Sequence, residues 1–272
     1  AGHNVASRER PLHITLTTIP PRHDGLGDVF SSLLQQRAKI AGIHLFVPKN
    51  YRRSDFNQHS LPEVPNGVTL HELEFDFGPA SKILPAVKYF AEQDVNLLFC
   101  DDDKSYDTHW AQRFVDAAQK YPSSAICESS LSLRTLEARA FRMNKPLKYR
   151  LKRMASFGRW KPTKNPQRGL ADIFEGVGGV MVRPEFFTED AFSIPDILWT
   201  VDDVWLSGHI TKNKVEIIHN PEAPNRLPQA TQNEKKFALH QLVYKDHNRY
   251  ASDLACVEYY RKHHAIWQDV LL

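Results

Sequence analysis

Short apolar runs alternate with amphipathic stretches along the first half of the chain. The apolar runs are typical of buried strands and read LHITLTTIP, GIHLFVP, GVTLHELEF and VNLLFCDDD. Between and after them, apolar residues recur at helical spacing in LGDVFSSLLQQ, SKILPAVKYFAEQ and DTHWAQRFVDAAQKY. Ser81 is the expected N-cap of the second of these helices, and Asp107 or Thr108 that of the third. This succession predicts an α/β fold with a mostly parallel sheet and helices on both faces.

The second half is interrupted by a basic stretch at residues 139–168. It contains eleven Lys and Arg and no Asp or Glu, with apolar and aromatic residues interleaved. An insertion of this length inside a compact domain is usually functional or mobile. Strand and helix patterns resume in FEGVGGVMVRPEFF, WTVDDVWLSGHITKN and VEIIHNP, and a helical tail is expected at residues 223–272.

The composition is that of an ordinary globular protein, with 42% apolar and 25% charged residues. A net charge of +3 is too small to favour a nucleic-acid partner. Three scattered cysteines without C-x-x-C spacing argue against a disulfide framework and against a zinc site. No apolar run approaches the roughly 20 residues that span a bilayer. We therefore expect a cytoplasmic protein, and the basic stretch leaves peripheral contact with the inner face of a membrane open.

Three consecutive carboxylates, Asp101, Asp102 and Asp103, follow an apolar strand directly. Such a group is electrostatically costly unless a cation neutralises it, and ligands of open α/β sheets bind at the carboxyl ends of strands. Hard oxygen ligands suit Mg²⁺ or Mn²⁺. If the strand continues, Asp101 and Asp103 share a face and Asp102 points away. The alternative is that these residues form an Asx turn or cap the next helix.

The segment LLFCDDDKSYDTHW resembles the D-x-D motif of the GT-A glycosyltransferases, and the resemblance extends from about Leu12 to Pro221. It implies a GT-A Rossmann-like domain at residues 11–272, with a nucleotide-sugar-binding half at 11–130 and an acceptor-binding half at 131–222. It further implies Mn²⁺ or Mg²⁺ as cofactor and a nucleoside-diphosphate sugar as donor, with a UDP-sugar expected.

The resemblance also assigns donor-binding residues. ITLTTIPPR looks like the first strand and donor loop of these enzymes, which places Thr17, Thr18, Pro20 and Arg22 near the nucleotide together with Asp101 and Asp102. DFGPASKILPA looks like the segment that closes over the nucleotide, where Lys82 would reach the diphosphate as a point charge. Surface positions for Arg22 and Lys82 are the alternatives.

The acceptor side is implied by TVDDVWLSGH, which looks like the acidic motif that opens a helix in inverting GT-A enzymes. Asp203 is the expected general base and Asp202 its orienting partner, whereas helix capping is the alternative for both. The preceding segment would bind acceptor through Glu175, Gly176, Gly178 and Gly179, because glycines let backbone approach a sugar closely. His219 stands where many such enzymes carry another metal ligand beside Asp101 and Asp103.

Several alternatives stay open at this point. A retaining enzyme would use the same metal site without a base, which would leave Asp203 to position the acceptor. A metal-dependent nucleotidyltransferase also needs carboxylate-bound metal, although TTIPPRHDGLG lacks its glycine- and lysine-rich loop. A catalytically inactive module would bind a glycan or polyanion through the basic stretch. For an active enzyme the same stretch suits a phosphate-rich glycan, a glycolipid or an anionic membrane surface, as expected in polysaccharide biosynthesis. The alternative is a solvated loop whose charges only improve solubility.

Overall fold

The structure is a computed structural model that describes residues 9–144, 151, 154–155, 168–236, 243–244 and 247–268. The helices in these ranges are α1 (Gly27–Leu34), α2 (Leu84–Tyr89), α3 (Trp110–Lys120), α4 (Leu133–Asn144), α5 (Asp202–Lys212) and α6 (Arg249–His264). The longer strands are β1 (Leu12–Thr17), β2 (Gly42–Pro48), β3 (Val68–Leu73) and β4 (Asn96–Phe99). Short strands follow at β5 (Lys104–Ser105), β6 (Ala125–Cys127), β7 (Ser130–Leu131), β8 (Gly169–Ala171), β9 (Ile173–Phe174), β10 (Val180–Val182), β11 (Ile217–His219), β12 (Gln229–Ala230), β13 (Val243–Tyr244) and β14 (His247–Asn248).

One eight-stranded sheet organises the molecule, in the order β3-β2-β1-β4-β10-β6-β11-β8. The first four strands of that order are mutually parallel, and β6 and β11 form a second parallel pair. Strand β10 runs antiparallel to both β4 and β6 and joins the two parallel groups. Strand β8 is antiparallel to β11. The predicted α/β class with a large, mostly parallel sheet is confirmed.

Strand β4 shows why both faces of the sheet are covered. Its residues alternate between two cores: Leu97 and Phe99 pack with α2, α5 and α6, whereas Leu98 and Cys100 pack with α1 and α3. A strand buried on both faces reads as a continuous apolar run rather than an alternating one. This explains the unbroken NLLFC that precedes the aspartates.

Two predicted helix starts are wrong. Helix α2 begins at Leu84, and Ser81 belongs to a preceding 3-10 turn at Gly78–Lys82, where its hydroxyl accepts a hydrogen bond from Phe77 N. Helix α3 begins at Trp110 without a side-chain cap. The Asp107 carboxylate instead accepts a hydrogen bond from His109 N and pairs with Arg113. In both cases the side chain predicted to cap the helix accepts a hydrogen bond instead from a backbone N–H that precedes the helix.

The chain topology brings several loops to one edge of the sheet. Strands β1, β2 and β4 all end there, and antiparallel β10 starts there because Val180 pairs with Phe99. The segment before β10 therefore faces the aspartates after β4. Among the described residues, no helix is long and apolar enough to cross a membrane. Most of the basic stretch 139–168 lies outside the described residues.

Candidate active site

The three aspartates after β4 have different partners. Asp101 Oδ1 lies 2.9 Å from Lys82 Nζ. Asp102 points the other way and accepts hydrogen bonds from Thr18 Oγ1 at 2.6 Å and from Arg22 Nη1 at 2.5 Å. Asp103 contacts the same guanidinium more loosely, at 3.5 Å. The prediction that Asp101 and Asp103 share a face requires β4 to continue. Strand β4 instead ends at Phe99, and Asp103 contacts Arg22 together with Asp102.

Asp103 carries a buried oxygen without a partner. Its Oδ1 makes no hydrogen bond with any described residue. Burial, followed by the charges of Asp101 and Asp102, raises the pKa of Asp103 to about 6, although Arg22 acts in the opposite direction. A buried acceptor left unmatched costs free energy unless a ligand supplies the missing positive charge.

The Lys82 side chain contacts both Asp101 and the two aspartates at the start of α5. Its side chain is only 6% exposed, and Nζ lies 2.8 Å from Asp202 Oδ2 and 3.7 Å from Asp203 Oδ1, in addition to Asp101. Burial alone would lower the pKa of Lys82, but these three carboxylates raise it well above its ordinary value. The lysine is therefore a buried cation held by carboxylates from two separate elements.

Asp202 and Asp203 occupy the first turn of α5 but do not cap it. The N-cap is Val201, and no side-chain cap hydrogen bond is formed. Instead Asp203 Oδ1 accepts a hydrogen bond of 3.1 Å from Gly176 N, on the segment before β10. Burial, opposed by Lys82 and reinforced by Asp202 and Asp101, raises the pKa of Asp203 to about 8. The capping alternative therefore does not describe these acids.

The glycines before β10 have distinct roles. A Cβ on Gly176 would lie 2.5 Å from Lys82 Nζ and 3.0 Å from Asp101 Oδ1, so only glycine leaves room for the charge cluster. Gly178 and Gly179 are enclosed by protein instead. Gly178 O accepts a hydrogen bond from Trp110 Nε1, and Gly179, with φ +89°, packs on the same indole. The structure thus places Gly176 in the site and the other two in packing.

Two further predicted residues have hydrogen-bond partners outside the charge cluster. Glu175 Oε2 accepts a hydrogen bond from Ser129 Oγ at 2.8 Å. His219 Nδ1 lies 2.8 Å from Ser130 Oγ. His219 is in register with Phe99 but three strands across the sheet, a separation of about 14 Å at 4.8 Å per strand. The structure does not bring His219 together with Asp101 and Asp103.

On the donor side, the Thr17 side chain bonds within the sheet, because its hydroxyl donates a hydrogen bond to Phe46 O at 2.7 Å. Tyr51 OH donates to Thr18 O at 3.1 Å. A pocket lies beside Thr18, between the ends of β1 and β2, and its lining includes Pro20, His23, Val47, Tyr51, Phe56 and His59. Thr18, Pro20 and Arg22 are therefore gathered at one end of the aspartate cluster, whereas the Thr17 side chain is not.

Two site residues escape the sequence analysis. Asn233 is fully buried, and its Nδ2 donates to both Arg22 O and Asp102 O, at 2.9 and 3.2 Å. Arg249 opens α6, and its positive charge acts to lower the pKa of Asp101 and of Asp203. Burial would lower the pKa of Arg249, but Asp253, Asp203, Asp202 and Asp101 raise it. Both residues lie more than 100 positions beyond the aspartates after β4, and no local pattern indicates their approach.

The charge balance indicates what the site can hold. Asp101, Asp102, Asp103, Asp202 and Asp203 provide five carboxylates, and Arg22, Lys82 and Arg249 provide three cations. Two negative charges are in excess when all are ionised, and one when Asp203, with its pKa of about 8, is protonated. In the part of the chain that the structure describes, no group of three or more His, Cys, Asp or Glu side chains is arranged so that it could hold a metal ion by itself. Mg²⁺ is usually bound through one or two carboxylates together with substrate phosphates. The orphaned Asp103 oxygen and the charge excess fit a divalent cation bound in that way.

No family model and no curated protein matches this chain. Among solved structures, the chain is similar to S. aureus TarS, with 10% identity and a TM-score of 0.46 over 82% of this chain and 61% of that one. It is also similar to the mannosyltransferase PcManGT from Pyrobaculum calidifontis, solved with GDP-Man and Mn²⁺, with 15% identity and a TM-score of 0.43 over 81% and 59%. A third is glucosyl-3-phosphoglycerate synthase from Mycobacterium tuberculosis, solved with Mg²⁺ and UDP, with 10% identity and a TM-score of 0.42 over 77% and 68%. The chain spans less than two thirds of the first two.

Proposed function

We propose that this chain is a metal-dependent glycosyltransferase that moves a sugar from a nucleoside-diphosphate sugar to a hydroxyl of a glycan or glycolipid acceptor. The observation that carries the proposal is the meeting of Asp101, Lys82 and Asp203 around the amide of Gly176. A strand-end carboxylate of the donor half and a helix-start carboxylate of the acceptor half share one buried cation there. Group transfer needs donor and acceptor sites in that proximity.

The donor would lie along the edge formed by Thr18, Arg22 and the aspartates. The pocket beside Thr18 would take the nucleobase, because Pro20, Tyr51 and Phe56 offer apolar and aromatic surface. Asp101 and Asp103 would hold Mn²⁺ or Mg²⁺ next to the diphosphate. When bound, such an ion stabilises the charge that develops on the leaving group. His219 is left out of this ligand set because of its distance.

Asp203 is the general base of the proposed reaction. Its side chain is 15% exposed, whereas that of Asp202 is 3% exposed, so an acceptor hydroxyl can reach only the former readily. Gly176 N–H fixes Oδ1 of Asp203 and leaves Oδ2 to receive the hydroxyl proton. Asp202 anchors Lys82 beneath it. This arrangement supports an inverting reaction, in which the acceptor oxygen attacks while Asp203 takes its proton.

Release of nucleoside diphosphate from UDP-, GDP- and CDP-sugars with Mn²⁺ tests the proposal. We expect release from one donor class, and a loss of about 10²- to 10⁴-fold in kcat in Asp203→Asn with donor binding retained. Asp116→Asn, an exposed aspartate on α3, is the matched control and should be unaffected. In a separate reaction with a nucleoside triphosphate and a sugar phosphate, release of pyrophosphate would favour a nucleotidyltransferase. No turnover and no donor binding with any nucleotide would overturn the assignment.

A further inference from the structure

Lys82 touches carboxylates of both halves of the site. Nζ is 2.9 Å from Asp101 Oδ1 and 2.8 Å from Asp202 Oδ2, and the third distance, to Asp203 Oδ1, is longer at 3.7 Å. An ammonium has three donors on a flexible four-carbon stem. Two of them are at hydrogen-bonding distance in this arrangement, and the third is engaged more weakly.

Among the described residues, Nζ has neighbours on two sides and carboxylates toward α5. Phe99 lies behind it, with Nζ 5.6 Å from the ring centroid, and Gly176 lies beside it. Toward α5, Asp202 is almost completely buried and Asp203 stands within 4 Å. Movement of Nζ away from Asp101 and toward Asp203 would keep it beside Asp202, at 2.8 Å in the present position.

A divalent cation bound at Asp101 would lie close to the Lys82 ammonium. Like charges a few ångströms apart in a poorly solvated site repel strongly. The Asp101 carboxylate cannot bind the divalent cation and the Lys82 ammonium equally strongly at the same time. Binding of the divalent cation therefore weakens the contact of Asp101 with Lys82. Asp202 and Asp203 together provide the place to which the lysine can withdraw.

We infer that Lys82 is a positioning residue that serves as the counter-ion of Asp101 in the ligand-free chain and is transferred to Asp202 and Asp203 when a divalent cation binds. This inference rests on the proposed function, because it presumes that the cation binds at Asp101. Its consequence is an order of events. Binding of the cation and donor at Asp101 moves Lys82 toward Asp203. The carboxylate of the general base is therefore held in position only when a donor is bound.

The test is calorimetric titration of Mn²⁺ alone into the full chain. Lys82→Met should bind Mn²⁺ at least about tenfold more tightly than wild type, because the competing ammonium is gone. Lys88→Met is the matched control. Its side chain is 55% exposed and its nearest carboxylate, Glu189, lies 3.9 Å away, so the affinity should change by less than about twofold. Equal or weaker Mn²⁺ binding by Lys82→Met would overturn the inference.

A double-mutant cycle adds a second readout. Asp202→Asn removes one of the two carboxylates toward which Lys82 would move. It should weaken Mn²⁺ binding about tenfold when Lys82 is present, but by less than about threefold in the Lys82→Met background. Equal weakening in both backgrounds would show that Lys82 does not mediate the effect. If Lys82→Met does not fold, Asp202→Asn alone decides, since unchanged Mn²⁺ affinity contradicts the inference. Wild-type chain that binds no Mn²⁺, even with nucleotide, would refute the proposed function instead.

Discussion

Replacing Gly176 with alanine perturbs the site with a single methyl group. The added Cβ would lie 2.5 Å from Lys82 Nζ, 3.0 Å from Asp101 Oδ1 and 3.3 Å from Asp203 Oδ1. The first distance is shorter than any real contact, so the ammonium must move. Lys82 is 6% exposed and held by Asp101 and Asp202, so its displacement lengthens buried ion pairs rather than moving a free side chain.

The magnitude follows from overpacking and from the shifted charges. Inserting a methyl group into a packed site costs about 1–3 kcal/mol. The transition-state complex must also hold a donor and a cation beside Asp101. If it bears a further cost of about 1–3 kcal/mol beyond that of the free chain, then about 1.4 kcal/mol per tenfold change gives a loss of about 5- to 150-fold in kcat/KM. We expect a comparable loss, about 1–3 kcal/mol, in the free energy of unfolding of the ligand-free chain.

Gly27→Ala is the control for this experiment. Gly27 opens α1, and a Cβ there would meet nothing within 4 Å. It should leave kcat/KM unchanged and shift stability by less than about 1 kcal/mol, in the stabilising direction. Nucleotide release and urea unfolding would be measured on both variants. Gly176→Ala with wild-type kcat/KM and wild-type stability would refute the crowding that we describe around Lys82.

Further predictions concern the residues that support the aspartates. Arg22→Ala leaves the Asp102 carboxylate buried without its cation and should cost about 3–5 kcal/mol in urea unfolding. Thr18→Val removes one hydrogen bond to the same carboxylate and should cost about 2 kcal/mol, so equal losses would contradict the assignment of Arg22 as the main partner. Asn233→Ala removes the bonds to Arg22 O and Asp102 O and should cost about 2 kcal/mol by thermal unfolding, with weaker nucleotide binding. The pKa of Asp203, raised to about 8, means that the folded state holds a proton that the unfolded state releases near pH 4. The stability of the metal-free chain should therefore fall as pH rises from about 4 to about 8, and Asp203→Asn should flatten this slope. An unchanged slope in that variant would contradict the shift.

The parts of the site that the sequence predicts are those encoded by a local pattern. The unbroken NLLFC run places Asp101, Asp102 and Asp103 at a strand end, and the motif TVDDVWLSGH places Asp202 and Asp203 at a helix start. Both placements agree with the structure. The α/β class follows from the same alternation of apolar runs and helical spacing.

The remaining features depend on tertiary contacts that no local pattern contains. Gly178 and Gly179 are predicted to bind acceptor, yet the space beside Gly178 is taken by Glu128 and Ser129 and that beside Gly179 by the Trp110 indole. His219 stands at a strand end as expected, but the strand order sets it three strands from β4. Asn233 lies far along the chain from Arg22 and Asp102, and only the tertiary fold brings it within hydrogen-bonding distance of them. Such contacts follow from how the layers assemble rather than from residue spacing.

The most direct test of a metal-dependent donor site at the aspartates is calorimetric titration of UDP, GDP and CDP into the full chain, with Mn²⁺ and with chelator. Wild type and Asp103→Asn would be compared, because Asp103 Oδ1 is a buried oxygen without a hydrogen-bond partner among the described residues. We predict that one nucleotide binds only with Mn²⁺ and that Asp103→Asn loses this binding. Binding that is unaffected by chelator and by Asp103→Asn, or no binding to any of the three, would contradict the account.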